Sequence, residues 1–328
     1  MTYMQTYDHG ITAIAVDFGA TNMRAGLVRG DGVIIRHRSI PTPESPKHAG
    51  ELVSVLGDLI ATIIEPSDME KVAGIGISTA GPVDSRKGEV VNPPNIPLPV
   101  IPLVGPLKER FALPVRFLND CHAGALGEVR FGAGKGVSNF IYLTISTGIG
   151  AGVFDQGRLL FGEEGNFAEV GHLTVETTWN LPCGCGGCGH WEGCGSGRFI
   201  PAFFQAWCES SETRSPFTTL PDAAGLFAAA RKGNAVVMKF LDALKVVQAR
   251  GISALIAAYD PSLIILDGSV VRNNQDFFES AVLPLVKSVS GTMPRIVVSP
   301  LQGNAPLIGA ACCAFEGCHG QELNCGDR

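Results

Sequence analysis

No apolar run in this chain reaches the ~18 consecutive residues that a membrane-spanning helix requires, so a membrane partner is not expected. The first ten residues, Met1 to Gly10, lack the basic-then-apolar pattern of an export signal, and a cytoplasmic location is expected. There is no basic surplus. Lys and Arg total 25 against 31 Asp and Glu, a formal net charge of −6, which argues against a nucleic-acid partner. Low-complexity segments and short-period repeats are also missing, which excludes solenoids and disordered linkers. Charged residues are scarce at 17% while hydrophobic ones reach 45%, the balance of a well-cored globular chain. At 328 residues such a chain has material for two domains.

What is present begins with a repeated pattern. Thr12–Asp17 is a β-branched apolar run, broken by Gly19-Ala20-Thr21-Asn22 and resumed at Arg24–Val28, and Gly32–Ser39 is a third strand-like run. The same strand, glycine turn and strand recur at Asn139–Ser146, Thr147–Gly150 and Ala151–Phe154. Two such units suggest two related α/β domains. Between them, His48–Ile64 has helical apolar spacing, Val72–Ser78 and Val115–Leu118 are buried-type strands, and Cys121–Val129 is a helix. The proline-rich stretch Asn92–Pro106 predicts extended loop, and the zone around 92–114 is the best candidate boundary. Further on, Ala235–Tyr259, Phe277–Ser288 and Ala305–Phe315 read as helices and Ser262–Leu266 as a strand ending in Asp267-Gly268.

Both glycine turns suit phosphate. In Asp17–Asn22, backbone N–H groups can approach an anion, the Thr21 hydroxyl adds a donor, and Asp17 at the strand end could position Mg²⁺. An ordinary hairpin turn is the competing reading. Ser146–Gly152 has dinucleotide-like glycine spacing, but no helix follows, so a hairpin clamp is the better description. Asn119-Asp120 closes a strand, where a carboxylate can take a proton from a substrate hydroxyl; a helix cap is at least as good an account of Asp120.

Ten cysteines are many, and they do not form a disulfide framework. Cys183, Cys185, Cys188 and Cys194 crowd into one Gly-rich loop, with His172 and His190 nearby. Thiolates one or two residues apart plus imidazoles suit tetrahedral Zn²⁺ in a structural site. Glu169 and Glu192 flank the same region. Cys312 and Cys313 read as small core residues, and Cys318 and Cys325 lie in a polar tail.

Taken together, Asp17–Asn22, Gly76–Asp84, Asn92–Pro97, Asn119-Asp120, Thr147–Gly152, Glu169–His172 and Cys183–Glu192 resemble, in order and spacing, the ROK family (repressor, open reading frame, kinase) of sugar kinases in the hexokinase–actin–heat-shock ATPase superfamily. The resemblance implies an actin-like ATPase fold: two ribonuclease-H-like α/β domains hinged around a central cleft. The small domain would be 1–116, with a C-terminal helix at about 300–317 packing back on it; the large domain, with the zinc loop, would be 117–299, followed by a polar tail at 318–328. It implies ATP at Asp17, Gly19, Ala20, Thr21, Asn22, Thr147, Gly148, Gly150 and Gly268, with Mg²⁺ on the phosphates. The sugar would be held by Gly81, Asn95, Asn119, Asp120, Glu169, His172 and Glu192, with Asp120 as general base. Structural zinc would sit on His172, Cys183, Cys185 and His190.

Three departures from the family pattern stand out. Gly19-Ala20-Thr21-Asn22 replaces Gly-Gly-Thr-Lys. His190 occupies a cysteine position of the zinc loop, leaving Cys188 as the alternative ligand. Asp267-Gly268-Ser269 replaces a more glycine-rich turn. The implied activity is ATP-dependent conversion of glucose to glucose 6-phosphate by a homo-oligomer, dimer or tetramer. An N-acetylhexosamine or fructose kinase is the alternative. A sugar-sensing repressor is disfavoured, since the residues ahead of Thr12 are too few for a helix-turn-helix.

Overall fold

The structure is a computed structural model that describes residues 7–19, 21–93 and 96–316. It resolves into two compact units. One holds the described residues up to Tyr142, then Gly152–Phe167, then those from Ser299 onward; the other holds Leu143–Ala151 and Ala168–Val298.

The first unit is built on a five-stranded sheet. Strands β1 (Thr12–Phe18), β2 (Asn22–Arg29) and β3 (Ile34–Pro41) form an antiparallel meander, and β4 (Val72–Thr79) pairs with β1 in parallel. Helix α1 (Ala49–Ala61) connects the meander to β4. A small second sheet of β5 (Val83–Asp84), β6 (Glu89–Val91) and β7 (Val100–Pro102) follows, then α2 (Val104–Phe111). Strand β8 (Val115–Asn119) pairs with β4 in parallel and leads straight into α3 (Asp120–Phe131). The order is β3-β2-β1-β4-β8.

Strand periodicity divides the core. Alternate residues of β1 face opposite sides of the sheet. Ile14 and Val16 join Leu52, Leu56 and Ile60 of α1 in one apolar cluster. Ala13 and Ala15 face the other way, joining Ala310 and Ala311 of α10 (Ala305–Glu316). That side is close-packed because its residues are small. A Cβ on Gly76 would lie 1.8 Å from the Ala310 carbonyl oxygen, and one on Gly309 would lie 1.7 Å from that of Ala123. Only glycine permits this approach of α10 to both β4 and α3.

The second sheet repeats the plan: β9 (Phe140–Ile145), β10 (Ile149–Asp155), β11 (Arg158–Leu159), β12 (Leu263–Asp267) and β13 (Arg295–Val298), in the order β11-β10-β9-β12-β13. In each sheet the first three strands of the segment are followed outward by the fourth and fifth, which are parallel to each other. The repeated strand–turn–strand pattern in the sequence is thus a repeated fold, and the α/β class is as expected. Helices α4 (Trp191–Gly195), α5 (Ile200–Ser210), α6 (Ala223–Arg231), α7 (Ala235–Tyr259), α8 (Ser269–Arg272) and α9 (Gln275–Phe277) all belong to the second unit. Phe203 and Phe204 of α5 pack edge-on against Phe240 of α7.

β8 adds to the first sheet and α3 packs on α10, so everything described up to Tyr142 lies in the first unit. Two expectations need correction. The proline-rich stretch is not all loop: it contains β7, and α2 begins at Val104 with Pro106 in its first turn, where a missing N–H costs nothing. The helix expected over 277–288 is α-helical only to Phe277; a wide π turn (Phe278–Val282) and a 3-10 turn (Leu283–Leu285) follow, with Pro284 inside the latter. The polar tail lies outside the described residues.

Candidate functional site

In the first unit, the β1–β2 turn is closed by its own backbone. Gly19 N–H donates to Asn22 O at 3.0 Å, and Thr42 donates its N–H to Thr21 O and its hydroxyl to Gly19 O. Thr21 and Asn22 are exposed at the tip; Ala20 lies outside the described residues. Asp17 is not an idle carboxylate. Its Oδ2 accepts from Arg24 Nε at 2.9 Å and Nη2 at 2.6 Å, and its Oδ1 accepts from Ser78 at 3.2 Å. Arg24 Nη2 also donates to Gly303 O. Sequence reading missed this arginine, although its place opposite Asp17 in the hairpin register follows once the turn is known.

Asn119 and Asp120 sit where β8 becomes α3, and the capping question has a clear answer. Asn119 is the N-cap: its Oδ1 accepts from Cys121 N at 2.9 Å and His122 N at 3.4 Å. Asp120 is therefore the first helical residue, half-buried, with Oδ1 accepting from Cys121 N at 2.8 Å. Gly81 belongs to the same neighbourhood, since a Cβ on it would lie 3.2 Å from Asn119 Nδ2. Asn95 lies outside the described residues.

The second unit carries the other glycine turn. Ser146 N–H donates to Gly148 O at 2.8 Å, and Gly197 N–H donates to Ser146 O at 2.7 Å. Thr147 is exposed at the tip, and Gly150 follows in β10. Beside it, the Ser146 and Ser269 hydroxyls are 3.0 Å apart. Gly268 has φ of 96° and no room for a Cβ, which would meet Ile145 O at 2.3 Å, so glycine is required there. Buried Asp267 accepts from Gly268 N and from Arg272.

His172, Cys183, Cys185 and His190 bring their ligand atoms within 4.8 Å of one another. Cys183 Sγ is 3.6 Å from His172 Nδ1, and Cys185 Sγ is 3.2 Å from His190 Nδ1. These separations are those between neighbouring corners of a tetrahedron with Zn–N near 2.0 Å and Zn–S near 2.3 Å, and the N₂S₂ donor set suits Zn²⁺. Tight turns shape the loop: Cys183 N–H donates to Gly187 O and Gly186 N–H to Cys183 O. Cys188 is exposed and outside the group.

Two glutamates flank this centre. Glu169 Oε2 lies 3.8 Å from His172 Nε2, so the ring has Nδ1 toward a thiol and Nε2 toward a carboxylate, the arrangement that orients a metal-binding imidazole. Partial burial pushes the Glu169 carboxyl above its ordinary range; His172 opposes the rise and Glu192 adds to it. Glu192, in α4, accepts from Ile149 N at 2.9 Å through Oε2, tying the glycine hairpin to the metal loop. Trp191, fully buried, fixes α4 by donating to Gln248 Oε1 at 2.8 Å, while Gln248 Nε2 donates to Gly195 O at 2.8 Å. Sequence reading did not single out Trp191 and Gln248. Their only signal is a tryptophan wedged between a ligand and a carboxylate.

A family model described as the ROK family matches residues 13–316. The chain belongs to the ROK family. A glucokinase of Pyrobaculum calidifontis is 36% identical to this ROK protein over 305 residues, covering 92% of this chain and 95% of that one. A glucokinase of Aeropyrum pernix is 37% identical over 277 residues, 80% and 83% of the two chains. Among solved structures, a ROK family glucokinase from Streptomyces griseus in complex with glucose and AMPPNP matches with a TM-score of 0.76 and 29% identity, covering 93% of this chain and 100% of that one. Among the described residues, no helix of this ROK protein is long and apolar enough to cross a membrane.

Proposed function

We propose that this ROK protein is an ATP-dependent hexose kinase that converts glucose to glucose 6-phosphate. The observation that carries the reading is its similarity to glucokinases at 36–37% identity over 80–92% of the chain. The likeness to a glucokinase structure holding glucose and AMPPNP supports the nucleotide as well.

In this reading Asp120 accepts the proton of the attacking hydroxyl as that oxygen bonds to the γ-phosphorus of ATP, the bond from that phosphorus to the β,γ-bridging oxygen breaks, and ADP leaves. Its Oδ1 is already held by Cys121 N, which fixes the carboxylate's direction. Gly81, Asn95, Asn119, Glu169, His172 and Glu192 bind the sugar hydroxyls and set the in-line approach. Gly19 to Asn22, Thr147, Gly148 and Gly150 present backbone and hydroxyl donors to the phosphates, and Gly268 lies beside the nucleotide. Asp17 is the residue that would help hold Mg²⁺, which would supply charge neutralisation on the phosphates. His172, Cys183, Cys185 and His190 would hold a structural Zn²⁺, which would help keep Glu169 and Glu192 in place. A homo-oligomer in the cytoplasm completes the reading.

A coupled assay with glucose, fructose and N-acetylhexosamines, each with ATP, ADP and polyphosphate, tests it. The expected result is the highest kcat/KM for glucose with ATP. A preference for an N-acetylhexosamine or fructose moves the substrate within the family, and no transfer to any sugar contradicts the kinase reading.

A further inference from the structure

The segment Phe161–Phe167 lies outside every strand and long helix, yet successive residues fasten it to the first unit. Glu163 pairs with Arg86 at 3.0 Å, and Glu164 O accepts from Ser85 at 3.3 Å. The Asn166 side chain makes a two-pronged bond to one backbone residue: Val83 N donates to its Oδ1 at 3.1 Å, and its Nδ2 donates to Val83 O at 3.0 Å. Phe167 hydrogen-bonds through its backbone to the His122 ring, and Phe161 packs edge-on against that ring at 5.2 Å. The strap thus holds two places at once. Through Asn166 it holds the turn that carries Gly81, where a Cβ would lie 3.6 Å from Asn166 Oδ1 and 3.2 Å from Asn119 Nδ2. Through His122 it holds the first turn of α3, which carries Asp120.

We propose that His122 and Asn166 are positioning residues, which lock the first turn of α3 and the Gly81 turn together through the 161–167 strap and thereby aim Asp120. The proposal rests on the reading of Asp120 as general base. His122 is 1% exposed, and its Nε2 is buried without a hydrogen-bond partner. An orphaned polar atom in the interior is a cost that a phenylalanine of similar size would avoid. What the imidazole supplies in return is the directional bond to the Phe167 backbone. Burial lowers its pKa to about 4, so at neutral pH it is an uncharged fixed dipole. Asn166 fills the hydrogen-bonding groups of Val83 as a strand neighbour would, which fixes the turn without adding a strand.

Steady-state kinetics of His122→Phe, His122→Gln, Asn166→Ala, Asp120→Asn and the double variant Asp120→Asn/His122→Phe test the proposal, with thermal melting of each as a folding check. A misplacement of about 1 Å can cost ~10²-fold in rate. The expected result is a roughly 10- to 100-fold loss of kcat in His122→Phe and Asn166→Ala, with the ATP KM within about twofold of wild type. His122→Gln, which keeps a hydrogen-bonding group, recovers most of the loss. In the Asp120→Asn background, His122→Phe should cost nothing further. Wild-type kcat in both His122→Phe and Asn166→Ala overturns the proposal, as does a parallel loss of ATP affinity or an additive loss in the double variant. A nearly active Asp120→Asn instead removes the base assignment, and with it any role for the strap in aiming that base.

Discussion

His122 makes a sharp stability prediction, because its burial has a definite thermodynamic consequence. In the unfolded chain its imidazole titrates near 6.5; in the folded protein burial lowers this to about 4, with the bond to the Phe167 backbone opposing the shift only in part. Between those values the unfolded state binds a proton that the native state refuses. Stability from this group is therefore full above pH 6.5 and is lost as pH falls toward 4. A shift of about 2.5 units corresponds to about 3 kcal/mol in total. Roughly 2 kcal/mol of it is lost between pH 7 and pH 4.5. Urea unfolding of wild type and His122→Phe at both pH values isolates this contribution, because the carboxylates that titrate in the same window are common to the two proteins. Wild type should lose about 2 kcal/mol more than the variant on acidification. Equal losses would refute the claim that this ring is buried neutral.

Protein purified without added metal should carry about one zinc per chain; His190→Ala should lower that content and Cys188→Ala should leave it unchanged, as read by elemental analysis. Cys183→Ser should weaken sugar binding in calorimetry while nucleotide affinity without sugar stays close to wild type, and equal weakening of both would mean that the loop only maintains the unit's stability. Gly309→Ala places a Cβ 1.7 Å from the Ala123 carbonyl oxygen, so α10 must shift; a loss of about 1–3 kcal/mol in the unfolding free energy from denaturant titration is expected, and a neutral result would contradict the close packing described.

Much of this was legible in the chain because the signals are local. A β-branched run broken by a glycine turn declares a hairpin, and its recurrence declares a second sheet of the same order. The apolar spacing of Ala235–Tyr259 gives α7 to the residue. Cys183, Cys185 and His190 lie close in sequence, so their convergence needs only a tight loop, and His172 is brought in where the segment after it pairs with the loop, Thr174 opposite His190. What local signals could not carry was pairing at a distance. The parallel pairing of β8 with β4 keeps Val115–Asn119 in the first unit, although a proline-rich stretch precedes it. Pro106 reads as a helix breaker until it is known to lie in a first helical turn. Asn166 and Trp191 act through Val83 and Gln248, each more than fifty positions away, and no spacing rule announces such bonds. For Asp120, the sequence offered two roles; the structure gives the cap to Asn119 and places Asp120 in the first turn of α3, its Oδ1 accepting from Cys121 N.

The most direct test is ATP-dependent glucose 6-phosphate formation by wild type and Asp120→Asn, with glucose affinity measured on both. Wild type should turn over. The variant should bind glucose to within a few-fold of wild type and lose about 10²- to 10⁴-fold in kcat, the usual cost of removing a positioned base. An Asp120→Asn protein that keeps more than about a tenth of wild-type kcat, where the loss of a base would remove far more, would contradict the account.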